Sequence, residues 1–171
     1  TLNQQNIVLY EKDFLKKKDG PFISSPTFSY EQLSESFSKM VSKLKTDNDW
    51  EAVLQAKYSG SLPSSIIYLK DLDKSVEYDI TLPTLKITTK PWDIAMSSDS
   101  LKFIMDFKWG RGTLMINGRF TANYNTFNNF FKQTAIYYAN NIGLQFPSSF
   151  TPNDLNKNSS FVLQLMKDWD L

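Results

Sequence analysis

Between Ser75 and Leu82 the chain alternates without a break: Val76, Tyr78, Ile80 and Leu82 are apolar, while Ser75, Glu77, Asp79 and Thr81 are polar. Successive side chains of a strand point to opposite faces, so the segment predicts a half-buried strand with one face on a core. A sheet of that kind needs a second layer over its apolar face. The sequence upstream supplies one. Ser29-Tyr-Glu-Gln32 has the form of a capping box, and Leu33, Phe37, Met40, Val41 and Leu44 then recur on one face of a helix. A second, short helix is predicted from Asn48, with Glu51 in its first turn; it would bury Trp50, Val53, Leu54 and Tyr58 and stop at Gly60.

Further strands are predicted at Ile66–Leu69, around Leu85 and Ile87, and at Trp92–Met96, and short polar breaks between the first three favour antiparallel neighbours. Ser97-Ser-Asp99 caps a helix carrying Leu101, Ile104, Met105 and Lys108 on one side and Phe103 and Phe107 on another, with Gly110 closing it. Leu114 and Ile116 predict a fifth strand running through Asn117-Gly-Arg-Phe120. A long helix with Phe127, Phe130, Phe131, Tyr138 and Ile142 follows, stopped by Gly143. Residues 144–158 predict a surface connection, and Phe161, Val162, Leu165, Met166 and Trp169 a last helix. The expected architecture is α+β: two layers, with a five-stranded, mainly antiparallel sheet covered by helices. The expected division is an N-terminal extension (1–28), a folded domain (29–143), and a linker with a C-terminal helix (144–171). No regular βαβ units support a doubly wound nucleotide fold.

Two missing residue types narrow the chemistry. Among 171 residues there is neither histidine nor cysteine, so this chain offers no imidazole base, thiol nucleophile, disulfide or thiolate metal site. Any catalysis would have to run on Asp, Glu, Lys, Tyr or Ser, which makes noncatalytic binding the expected class, without cofactor or metal. Nineteen Lys and Arg against eighteen Asp and Glu leave a net charge of +1, which argues against a nucleic-acid surface. No apolar run reaches the 18 residues of a membrane-spanning helix. The chain opens on Thr1 without a signal-peptide pattern or an initiator methionine, which fits either a trimmed chain or a fragment.

Four local patterns invite a chemical reading. Gly110-Arg-Gly112 offers backbone amides and a guanidinium to an anion, but it lacks P-loop spacing, and a glycine cap followed by a turn is the simpler account. Ser36-x-x-Lys39 and Ser42-x-x-Lys45 have the spacing of serine–lysine acyl enzymes, without the companion motifs and along an amphipathic helix. Asp71, Asp73, Glu77 and Asp79 form the densest acidic cluster; it lacks a calcium-loop glycine, and Glu77 and Asp79 fit a solvated strand face. Asn158-Ser-Ser160 fits a glycosylation triplet, with a helix cap as the simpler account. The aromatic residues outnumber what one helical face can bury. They fill a core, or they line an apolar cavity between sheet and helices.

The stretch from Trp92-Asp-Ile-Ala-Met-Ser-Ser-Asp-Ser-Leu-Lys-Phe through Gly110-Arg-Gly to Asn117-Gly-Arg-Phe120 and on to Phe131 resembles the sterol carrier protein 2 family. Ser97, Ser98, Asp99, Leu101, Phe103, Gly110 and Gly118 fall on its pattern, and with the preceding helix and strands the resemblance covers 29–142. Met96-Ser-Ser-Asp-Ser-Leu101 and Asn117-Gly-Arg-Phe120 are similar, more narrowly, to C-terminal extensions of bacterial metallo-β-lactamase-fold hydrolases. The resemblance implies an accessory domain of a zinc-dependent hydrolase whose metal site lies upstream of this chain. The expected ligand is an apolar or lipid-like molecule, walled by Phe103, Phe107, Met115, Phe127, Phe131, Leu165 and Trp169. Residues 160–170 are expected to dock as a removable lid over the cavity or across a partner. The alternative expectation is a filled core serving as a dimerisation or docking module, with a second copy or the upstream hydrolase domain as partner. A third is an independent hydrolase using Glu77 and Asp79.

Overall fold

In the computed structural model, which describes residues 27–147, the first helix starts as its sequence predicts. Ser29 Oγ accepts from the Gln32 amide at 3.3 Å, while the Ser29 amide donates to Gln32 Oε1 at 2.9 Å. The closed box opens α1, Tyr30–Asp47. Asp49, one residue after the predicted start, caps α2, Trp50–Tyr58. The chain then forms β1 (Ser65–Leu69), β2 (Lys74–Tyr78), β3 (Lys86–Thr88) and β4 (Ile94–Met96). It continues with α3 (Ser98–Asp106), α4 (Gly110–Asn117), β5 (Phe120–Ala122) and α5 (Asn128–Asn141).

The five strands form one sheet in the order β3-β2-β1-β4-β5. Three pairings are antiparallel, and β1 lies parallel to β4 with Ile67 opposite Ile94. The α+β class is as expected, and the sheet is mixed by this one pairing. Asp93 fastens it. Its carboxylate accepts from the Ile66 amide at 2.8 Å and from Ser65 Oγ at 3.0 Å, and its own amide donates to the Ile66 carbonyl at 2.8 Å.

Ile67, Leu69, Val76, Tyr78, Ile94 and Met96 share one sheet face and are buried beneath the helices. Phe37 of α1 meets Tyr78 edge to face at 5.1 Å, and the Tyr78 hydroxyl reaches Met40 Sδ at 3.2 Å. Tyr30 and Ser38 donate to the carbonyls of Leu85 and Pro83, tying α1 to the loop between β2 and β3. On the opposite face Tyr68 donates to Asp73, Lys70 to Thr121, and Glu77 pairs loosely with Lys90 at 3.7 Å. Gln133, buried in α5, accepts from the Ile80 amide at 2.9 Å and donates to the Pro63 carbonyl at 2.9 Å. One side chain thereby holds two loops at once.

Several expectations need correction. The alternating strand ends at Tyr78, because Asp79 turns inward to Lys57 and closes a local turn on Thr81; Ile80 stays buried outside the ladder. Residues 110–117 are a helix, not the predicted fifth strand, which starts only at Phe120. Gly110 opens that helix instead of closing the one before it. A Cβ there would sit 2.7 Å from the Ile104 Cα and the Phe103 carbonyl oxygen, so only glycine lets α4 start against α3. Gly118, at φ +59°, is the actual stop. Tyr58 points into solvent, contrary to its predicted burial, while Ile142 is exposed and Ser36 is buried. Phe146 is buried as well: its amide donates to Asn48 Oδ1 and its carbonyl accepts from the Asp49 amide, so residues after Gly143 return to the α1–α2 junction. The predicted C-terminal helix, with Leu165, Trp169 and the lid, and the Asn158 triplet lie outside the described residues.

Candidate functional site

The described members of the expected apolar wall fall into two aromatic groups. In α3, Leu101, Ile104 and Met105 take the inward face and leave Phe103 and Phe107 on the flank. Phe103, Phe107 and Trp109 pack with all three centroid separations at 5.1 Å, and Phe107 and Trp109 remain 43% and 46% exposed. The second group gathers where β5 runs into α5. Phe127 stacks on Phe120 at 5.5 Å and meets Phe131 edge to face at 4.8 Å, with Phe130 buried behind at 6.1 Å. Met115 of α4 is partly buried against the core. The fold thus joins Phe103 to Phe107 and Phe127 to Phe131, and no ring contact links the two groups among the described residues.

Beside the second group lies Arg111, a residue the aromatic pattern does not point to. Gly112 lets α4 approach Tyr138 of α5, since a Cβ there would stand 3.3 Å from the Tyr138 ring. Arg111 lies over two rings, its guanidinium carbon 4.2 Å from the Tyr138 centroid and 5.3 Å from that of Phe131. Nη1 donates to the Phe131 carbonyl at 3.3 Å. Arg111 makes no ion pair among the described residues, all of whose ion pairs use lysine. Burial pulls its pKa down to about 10, which still leaves it charged at neutral pH. The sequence signal was the Gly-Arg-Gly triplet, whose glycines serve two close helix contacts.

The acidic cluster is dispersed. Asp71 accepts from the amide and hydroxyl of Ser98, whose hydroxyl also accepts from the Phe28 amide. Asp73 takes the Tyr68 hydroxyl, Glu77 faces Lys90, and Asp79 is buried on Lys57 at 2.6 Å with Ser64 and Thr81. Burial raises the Asp79 carboxyl, but hydrogen bonds from Lys57, Thr81 and Ser64 outweigh it and hold the group below the ordinary carboxylate value. Glu77 and Asp79 are therefore not a shared acid–base pair on one solvated face. No group of three or more carboxylates among the described residues is placed to hold a metal ion. Lys39 is paired with Glu35, and the Ser42 hydroxyl donates to the Ser38 carbonyl, so neither Ser-x-x-Lys spacing supplies an activated serine.

A cavity of about 220 Å³ opens at the end of α5, lined by Asp47, Lys108, Asn140, Gly143, Leu144 and Gln145. It is polar, its charges are matched by the Lys108–Asp47 pair at 2.8 Å, and none of the expected wall residues lines it. No described helix is long and apolar enough to cross a membrane. The chain matches no protein-family model, no curated protein and no solved structure.

Proposed function

We propose that this domain binds an apolar, lipid-like molecule without catalysis, and that it serves as an accessory domain of a larger zinc-dependent hydrolase. One observation carries the reading. Phe120, Phe127 and Phe131 form a contiguous aromatic group that stays partly exposed, while Ile67, Leu69, Val76, Ile94 and Met96 of the sheet are buried. The resemblance of residues 92–131 to the sterol carrier protein 2 family supports the ligand class. Burying each methylene contributes ~0.8 kcal/mol, so a fully buried chain of about ten carbons contributes roughly 8 kcal/mol, much of which association costs remove. Titration with a fluorescent fatty acid, with Trp→Phe variants as optical controls, should saturate. Binding no stronger than to an unrelated protein of similar size would overturn the reading.

A docking module is the second reading, and a separate observation favours it. Phe107 and Trp109, in the turn between α3 and α4, are nearly half exposed, and Ile116 of α4 is 87% exposed. Sedimentation of the chain over a range of concentrations separates the two: self-association weakened by Trp109→Ser and Ile116→Ser, without ligand saturation, selects docking.

A further inference from the structure

We propose that Arg111 anchors an anionic headgroup, a carboxylate, on the apolar ligand. The inference rests on the binding reading above and adds the class of ligand. A guanidinium has five N–H donors in a planar fork, and among the described residues one contact, to the Phe131 carbonyl, is made. The Tyr138 and Phe131 rings lie 4.2 and 5.3 Å from its guanidinium carbon, and neither supplies an acceptor to the remaining donors. A carboxylate accepts two parallel bonds from one guanidinium edge, which a lysine ammonium cannot reproduce.

The position fits an amphiphile. Phe131 touches Arg111 on one side and Phe127 on the other, and Phe127 stacks on Phe120, so an apolar path starts at the cation. Asp106, Asp47 and Asp79 pair with Lys102, Lys108 and Lys57, and none of the described ion pairs includes Arg111. Keeping a partly buried cation without an acid partner costs stability, and a ligand that completes the pair recovers that cost.

The test is displacement of Nile red from the full chain at pH 7 by dodecanoate, dodecan-1-ol and dodecyltrimethylammonium, which share one tail. Dodecanoate should bind at least tenfold more tightly than the alcohol, and the cation more weakly than either. In Arg111→Gln the acid-to-alcohol ratio should fall toward one; in Arg111→Lys it should fall to an intermediate value, with folding checked by circular dichroism. If Arg111→Gln does not fold, the ratio in the native chain and its decrease in Arg111→Lys decide the matter. Equal binding of acid and alcohol by the native chain overturns the anchor while leaving the apolar site standing. Failure of all three to displace the dye overturns both.

Discussion

Lys57 Nζ lies 2.6 Å from Asp79 Oδ2, joining the last turn of α2 to the end of β2, with Asp79 4% exposed and Lys57 24% exposed. Ser64 and Thr81 complete the carboxylate's shell. Removing one partner strands the other, and Asp79→Asn should cost about 2–3 kcal/mol by urea unfolding at pH 7. The carboxyl is held below its ordinary value of 3.8, so the stability it contributes is complete above that pH and is lost as pH falls through the folded-state pKa. The native chain should lose stability on acidification below about pH 4, and the variant should lose less.

Gly110 and Gly118 should respond differently to the same methyl group. Gly110→Ala drives a Cβ into the backbone of α3 at 2.7 Å and should cost about 2–3 kcal/mol. Gly118→Ala meets nothing within 4 Å and bears only the left-handed backbone, at about 1 kcal/mol. Thermal unfolding of the two variants side by side checks the order.

Gln133→Leu keeps the side-chain bulk but leaves the Ile80 amide and the Pro63 carbonyl without their partner. Each is a buried or partly buried backbone group, so a loss of about 2–3 kcal/mol is expected. Amide exchange at Ile80 should quicken more than at Ile67, which gives the effect a location.

Arg111 is a basic group whose folded pKa, about 10, burial holds below its ordinary value. The folded chain therefore releases that proton first as pH rises, and the group's burden on stability eases as pH climbs past about 10. At neutral pH the charge is a burden. Arg111→Met should leave stability unchanged or raise it by about 1–2 kcal/mol, while abolishing any preference for dodecanoate. A loss above 2 kcal/mol in urea would show that the contact with the two rings is chiefly structural.

Where partners lie close along the chain, the sequence was a sufficient guide: the Ser29–Gln32 box, the α1 face and the Ser97 cap are all local patterns. α4 escaped because Trp109, its N-cap, makes no side-chain cap bond, and because Leu114 and Ile116 are spaced two apart as in a strand. Asp79 sits at a polar position of an alternating run, and only Lys57, far back in α2, draws it inside. Arg111 likewise takes its character from Phe131 and Tyr138 on another helix. The local patterns at the two sites, an alternating run and a Gly-Arg-Gly triplet, do not name these distant partners.

The single parallel join between β1 and β4 divides the molecule in time as well as in space. Leu69 meets Lys74 across a tight connection, whereas Ile67 must wait for Ile94, 27 residues on. Closing the longer loop costs roughly 1.5 kcal/mol more chain entropy, so the three-stranded meander is expected to form before β4 arrives. β5 pairs only with β4, so it and the neighbouring α4 and α5, which carry Arg111 and the Phe120–Phe131 group, are expected to follow that closure. The half of the fold proposed to meet a ligand is then expected to assemble last and open first. Protection from hydrogen exchange should rise on that side alone when dodecanoate is present.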